Sequence, residues 1–199
     1  MQIFDLTMMI NSKTPIFPGD EKQEIKQINT IKKNGLNETR LSFSTHFGTH
    51  IDAPFHMIEN GEKLTDYSLQ RFIGDAIVIE LRYPKPDLST IQPNDIVFFY
   101  TGHSNNATNT EYFENNPVLT TKIAEELIQK RVKVVGIDSF SPDNEPYEVH
   151  KLLFANKIPI VENLINLDKL LNQRFRCFIL PLKLENADGA PCRVVGIIE

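Results

Sequence analysis

The stretch from Thr120 to Leu164, TTKIAEELIQKRVKVVGIDSFSPDNEPYEVHKLLFANKIPIVENL, decides the fold class. Its opening segment, TTKIAEELIQKR (120–131), sets Ile123, Ala124, Leu127 and Ile128 at helical spacing, with Thr120 or Thr121 placed to cap the N-terminus. KVVGID (133–138) then reads as a buried strand. YEVHKLLFANK (147–157) is a short helix with Val149, Leu152 and Leu153 along one side, and IPIVENL (158–164) returns as a strand. Helix–strand alternation of this kind makes the chain α/β rather than all-β.

Outward from this stretch, strands outnumber helices. DAIVIEL (75–81) and DIVFFYT (95–101) are apolar runs bounded by Gly, Pro and Asp. RFRCFILPLKL (174–184) and CRVVGII (192–198) are strands joined through the turn signal NADGAP (186–191). PIFPGD (15–20) is a turn of two prolines followed by Gly-Asp. Residues 41–53 alternate: Leu41, Phe43, Thr45, Phe47, Thr49, Ile51 and Ala53 on one parity, Ser42, Ser44, His46, Gly48, His50 and Asp52 on the other. Period two with one apolar face predicts a half-buried strand over 41–53. The expected architecture is one α/β domain over residues 1–199, with mixed strands and few helices.

The bulk composition narrows the functional classes. The chain has 199 residues, 41% hydrophobic and 24% charged, enough for a real core. Its net charge is −5 and it has no long Lys/Arg block, which weighs against nucleic acid or an anionic membrane as partner. No apolar run approaches the roughly 20 residues needed to span a bilayer. The N-terminus, MQIFDLTMMINSKTP, has no early positive charge and no small-residue cleavage site, so a cytoplasmic location is expected. Cys177 and Cys192 are too few for a disulfide framework and too far apart for a CxxC site.

The chemistry is concentrated in HFGTHIDAPFH (46–56), which holds three of the five histidines and an aspartate. Gly48, Pro54 and the β-branched Thr45, Thr49 and Ile51 disfavour a helix here. As a strand, His46, His50, Asp52 and His56 share one side. Residues four apart in a straight strand lie about 13 Å apart. His46 and His50 can therefore share an ion only if the chain bends, and Gly48 lies midway between them. Pro54 should end the ladder before His56. A lone histidine is more often a surface or hydrogen-bonded core residue, but four convergent groups read as a metal site. Histidine with carboxylate suits Zn, Mn or Fe(II). A site with fewer protein ligands than the ion accepts supplies water with its pKa lowered toward about 7. A histidine that binds no metal can move the proton. His150, in the second helix, and Glu162, ending the apolar strand IPIV, are further candidates on the same logic.

STHFGTHIDAPFH resembles the HxGTHxDxPxH signature of the putative cyclase family, which contains bacterial kynurenine formamidases and isatin hydrolases. PIFPGD, VVGIDSFSPD, VHKLLFANKIPIVENL and LPLKLENADGAPCRVV are similar to other segments of that family, so the resemblance runs along nearly the whole chain. It implies a swivelling β/β/α fold, a homodimer, and one or two divalent ions, Zn or Mn. By the same resemblance His46 and His50 hold the first ion and His150 the second, Asp52 and Glu162 bridge the two, and His56 is the proton donor and acceptor. The implied activity is hydrolysis of a C–N amide bond in a small aromatic molecule, arylformamidase-like, with isatin-like cyclic amides as the alternative. The chain departs from the formamidase pattern in the substrate-reading positions: Phe17 and His103 stand where formamidases carry Trp, and the chain has no tryptophan. Phe17 can still stack on an aryl ring.

Two other classes compete. A metal-dependent binding protein for a small acid would have no use for His56 beside the metal. A two-metal phosphoesterase would want basic residues near the ions, and none lies between Leu41 and Gly61.

Overall fold

The computed structural model describes residues 1–81 and 85–199. In chain order the strands and helices are β1 (Gln2–Asp5), β2 (Glu24–Asn29), α1 (Ile31–Asn34), β3 (Glu38–Ser42), β4 (His50–Asp52), β5 (Ile73–Glu80), β6 (Ile96–Tyr100), α2 (Thr121–Gln129), β7 (Val134–Ile137), α3 (Glu148–Ala155), β8 (Ile160–Glu162), β9 (Arg174–Pro181) and β10 (Gly189–Ile198). Seven strands close on themselves in the order β10-β4-β8-β7-β6-β5-β9, because β9 pairs back onto β10; β1 adds to β10 from outside. β5, β6, β7 and β8 run parallel, while β4, β9 and β10 pair antiparallel with their neighbours. The result is a mixed α/β barrel with three α-helices among the described residues.

The apolar runs of the parallel strands follow from burial on both faces. In β5 and β6, Ala76, Val78, Ile96 and Phe98 enter one core with Phe175, Cys177 and Val194. The alternate residues Ile77, Ile79, Val97 and Phe99 enter a second core, roofed by Leu127 of α2 and Leu153 of α3. Thr120 caps α2 as its sequence implies, accepting from the Ile123 amide at 3.3 Å. Gly136 in β7 marks how closely the first core is packed. An added Cβ there would sit 2.6 Å from Phe98 Cδ1 and 2.9 Å from Leu164 Cδ1. Gly136→Ala is therefore expected to cost about 1–3 kcal/mol through overpacking, read as a lower urea midpoint with an unchanged slope.

One expected element is not there. Residues 41–53 are not one strand: β3 ends at Ser42, β4 spans only His50–Asp52, and the chain between them turns through Gly48 at φ +65°. The apolar parity misled because its members are used in different places. Leu41 is exposed on a hairpin, Phe47 is buried at the turn, and Ile51 is buried in the barrel core. The NADGAP segment also differs from a simple turn. Gly189–Pro191 already belong to β10, paired with Asp52–His50 of β4. No described helix is long and apolar enough to cross a membrane.

Candidate metal centre

Three pieces of the fold meet at the site. The β4–β8 register sets His50 directly opposite Glu162. Ile51 points into the barrel core between them, so His50 and Asp52 share the other face. α3 delivers His150, and the turn at Gly48 swings His46 back until its ring centroid lies 5.1 Å from that of His50. Pro54 opens a single 3-10 turn, Pro54–His56, which brings the His56 ring to 4.0 Å from His46 and 6.5 Å from His150.

Each of the three inner imidazoles is anchored by one nitrogen and faces a carboxylate with the other. His50 Nδ1 lies 2.9 Å from the carbonyl oxygen of Gly48, which only accepts, so Nδ1 carries the hydrogen. In the neutral ring Nε2 is then a lone pair. It lies 3.3 Å from both Asp52 Oδ1 and Glu162 Oε2 and makes a hydrogen bond with neither. His150 repeats the pattern: Nδ1 is bound to Asp143 Oδ1 at 2.5 Å, and Nε2 faces Glu162 Oε1 at 3.3 Å. His46 Nε2 is 2.9 Å from Asp188 Oδ2, and its Nδ1 is 2.7 Å from Asp52 Oδ1. A buried lone pair facing a carboxylate oxygen is repulsive unless a cation or a proton lies between them.

The proton affinities express the same demand. Burial opposes charge on His46, but the Asp52 and Asp188 carboxylates outweigh it and raise its pKa to about 11. Burial likewise opposes charge on His150, while Asp143 and Glu162 carry it to about 10. His50 is raised too, by Asp52 and Glu162 against complete burial. Burial would lift the Asp52 carboxyl, but His46 and His50 hold it far below the usual range. His56 differs. Burial and its cationic neighbour His46 push it below its ordinary value, against the pull of Asp52. Its side chain is 28% exposed, against 2% and 3% for His50 and His150.

Candidate ligand atoms fall into two groups, each within 4.8 Å: His46, Asp52 and His56, and His50, Asp52 and Glu162. Asp52 belongs to both. The donor set of imidazole and carboxylate suits a divalent ion.

The centre floors a cavity of about 340 Å³ that is also lined by Phe17, Met57, Phe113, Phe140, Tyr147 and Asn163. Its aromatic wall is continuous: Phe17 meets Phe113 at 5.6 Å and Phe140 at 6.0 Å, and Phe113 meets Phe140 at 4.9 Å. Phe17 thus lies in the cavity. His103 does not line it. Asp138 accepts from the Thr101 and Gly102 amides and holds the loop that carries His103. The His103 ring stacks on Tyr112 at 4.7 Å, and its Nε2 contacts the Tyr112 carbonyl at 2.7 Å.

Residue-by-residue reading of the sequence passed over Asp143, Asp188, Phe113 and Phe140. Asp143 also accepts from the Val149 and His150 amides at the start of α3, so one carboxylate caps the helix and anchors its histidine. SPD placed a few residues before a helix was the available signal for Asp143. For the other three, only their proximity in space identifies them.

A family profile described as putative cyclase matches residues 4–144. Kynurenine formamidase from Geobacillus thermodenitrificans (strain NG80-2) is 33% identical, over 95% of this chain and 94% of that protein. Kynurenine formamidase from Bacillus mycoides (strain KBAB4) is 30% identical, over 98% and 96%. Among solved structures, a potential metal-dependent hydrolase with cyclase activity superposes with a TM-score of 0.82 at 28% identity, covering 98% of this chain and 96% of that one. An isatin hydrolase bound to the product analogue thioisatinate shares the fold, with a TM-score of 0.86 at 21% identity over 99% and 92% of the two chains.

Proposed function

The chain belongs to the putative cyclase family, and on that footing we propose that it is a metal-dependent hydrolase of a C–N amide bond in a small aromatic molecule. N-formylkynurenine is the first candidate substrate, supported by the formamidase relatives, and a cyclic amide such as isatin is the second. The observation that carries the reading is the buried Nε2 of His50, unbonded between two carboxylates. A cation resolves that arrangement, and the same cation logic holds at His150 and His46.

The residues present fit one or two divalent ions, Zn or Mn. His46 and His50 would hold the first and His150 the second, with Asp52 and Glu162 bridging. When bound, the ions supply an activated water and polarise the substrate carbonyl. The protein does the rest. His56, on the open side of the centre and least anchored of the four histidines, takes the proton of the attacking water and returns it to the leaving nitrogen. Phe17, Phe113 and Phe140 hold the aryl ring and exclude water from one side of it. His103 acts from behind this wall by keeping Tyr112 in place. The two buried free thiols, Cys177 and Cys192, suit a reducing, cytoplasmic setting.

The test is turnover of N-formyl-L-kynurenine by metal-stripped protein reloaded separately with Zn and with Mn. Metal-dependent release of formate is expected. A folded, metal-loaded protein that hydrolyses neither this substrate nor isatin nor simple aryl formamides would overturn the reading.

We also propose a homodimer. β2, α1 and β3 form an arm in which nearly every residue is exposed, Ile25, Ile28, Ile31, Leu36 and Leu41 included. A two-stranded hairpin with no partner is marginal in water, and these apolar side chains suit a second copy of the chain. Leu41→Asp is expected to shift the sedimenting mass from dimer to monomer. An unchanged dimer would remove the arm from the interface.

A further inference from the structure

The NADGAP segment enters the centre, yet none of the roles above uses it. Its Asp188 sits on the approach to β10, tied to the site by three bonds. Its carbonyl accepts from the Ala53 amide at 2.8 Å. Its Oδ1 accepts from Thr45 Oγ1 at 3.1 Å. Its Oδ2 lies 2.9 Å from His46 Nε2 and 3.7 Å from His56 Nδ1. One carboxylate oxygen thus stands between the histidine assigned to the metal and the histidine assigned to the proton.

We propose that Asp188 is a positioning residue for both histidines, and that Gly189 beside it provides the room in which His46 sits. An ionised carboxylate only accepts, so the nitrogen it holds, His46 Nε2, must carry the hydrogen. That leaves the Nδ1 lone pair, 2.7 Å from Asp52 Oδ1, free to ligate an ion held jointly with Asp52, and fixes the ring plane. This is the outer-shell carboxylate–histidine arrangement that raises ligand basicity. Asp143 stands in the same relation to His150 and the Gly48 carbonyl to His50, so Asp188 completes a set of three anchors. The same Oδ2 meets the edge of the His56 ring and limits its swing away from the centre. Gly189 is required because a Cβ there would lie 2.9 Å from His46 Cε1, 3.0 Å from Ile51 O and 3.2 Å from Asp52 Oδ1. Two of those neighbours belong to the centre and the third is backbone.

The inference rests on the hydrolase reading for His56 but not for His46, and its test separates the two. Zn affinity is measured by chelator competition on wild type, Asp188→Asn, Asp188→Ala and the distant surface control Asp75→Asn, with thermal melting alongside. Both Asp188 variants are expected to bind Zn about 10–100-fold more weakly, with the control unchanged. On whichever amide the wild type hydrolyses, they are expected to lose at least about tenfold in kcat with little change in KM. The isosteric Asp188→Asn carries the test should Asp188→Ala fail to fold. Zn affinity within twofold of wild type overturns the proposal, whether or not the melting temperature falls. If the wild type hydrolyses no amide while Asp188 variants still bind Zn weakly, the positioning of His46 stands and the hydrolase reading fails.

Discussion

Glu162→Gln is expected to bind at most a fraction of the metal held by the wild type and to lose about a thousandfold or more in amide hydrolysis. Both oxygens of Glu162 are committed, Oε2 toward His50 and Oε1 toward His150, at 3.3 Å each. An amide keeps one acceptor and puts an NH2 group where the other oxygen was, so it cannot face two lone-pair nitrogens through cations. Loss of several kcal/mol of transition-state charge stabilisation corresponds to about a thousandfold at 1.36 kcal/mol per decade. Melting provides a second reading. At metal concentrations about a hundred times Kd, the wild type gains about 2.7 kcal/mol, which for a chain of this size is roughly 5–10 °C. Chelator should lower the wild-type melting temperature by that amount and leave Glu162→Gln nearly indifferent. A variant that keeps full metal content and full activity would show that Glu162 is no ligand.

His56→Ala should behave in the opposite way on metal. Its expected loss is about 10²–10⁴-fold in kcat, with metal content and melting temperature close to wild type. The reason is its place at the edge of the centre, on the cavity side, with no hydrogen-bonded anchor to either nitrogen among the described residues. The measurement is kcat beside metal content on the same preparation. Loss of both together would make His56 a ligand of the group it forms with His46 and Asp52, and the proton would then need another carrier. Retained turnover would remove His56 from the chemistry altogether.

Part of this could be read from the residues alone, and the reason is locality. The helix over 120–131, its Thr120 cap and the strands at 133–138 and 95–101 depend on periodicities that span a dozen residues or fewer. Both faces of those strands are buried, so their apolar runs are unbroken and hard to misread. The cluster at 46–56 was legible for a similar reason: four chemical groups and the glycine that bends between them lie in one short segment.

What remained hidden depends on pieces far apart in the chain. Period two over 41–53 suggested one strand, and only the tertiary structure shows that Leu41, Phe47 and Ile51 serve three separate environments. The closure of the barrel through β9 and β10 rests on pairing that no local signal encodes. The same holds for the outer anchors. Asp188 reaches His46 across 142 positions of sequence, and Phe113 meets Phe17 only when the cavity wall is assembled. By itself, then, the sequence determined the α/β fold class, the core segments and the clustering of His46, His50, Asp52 and His56, because these follow from short-range pattern and residue chemistry, whereas His150 and Glu162, candidates by residue type, were assigned to the site through the family resemblance. The tertiary structure alone decided which nitrogen of His46, His50 and His150 turns inward, since that is set by acceptors contributed from the approach to β10, the Gly48 turn and the start of α3.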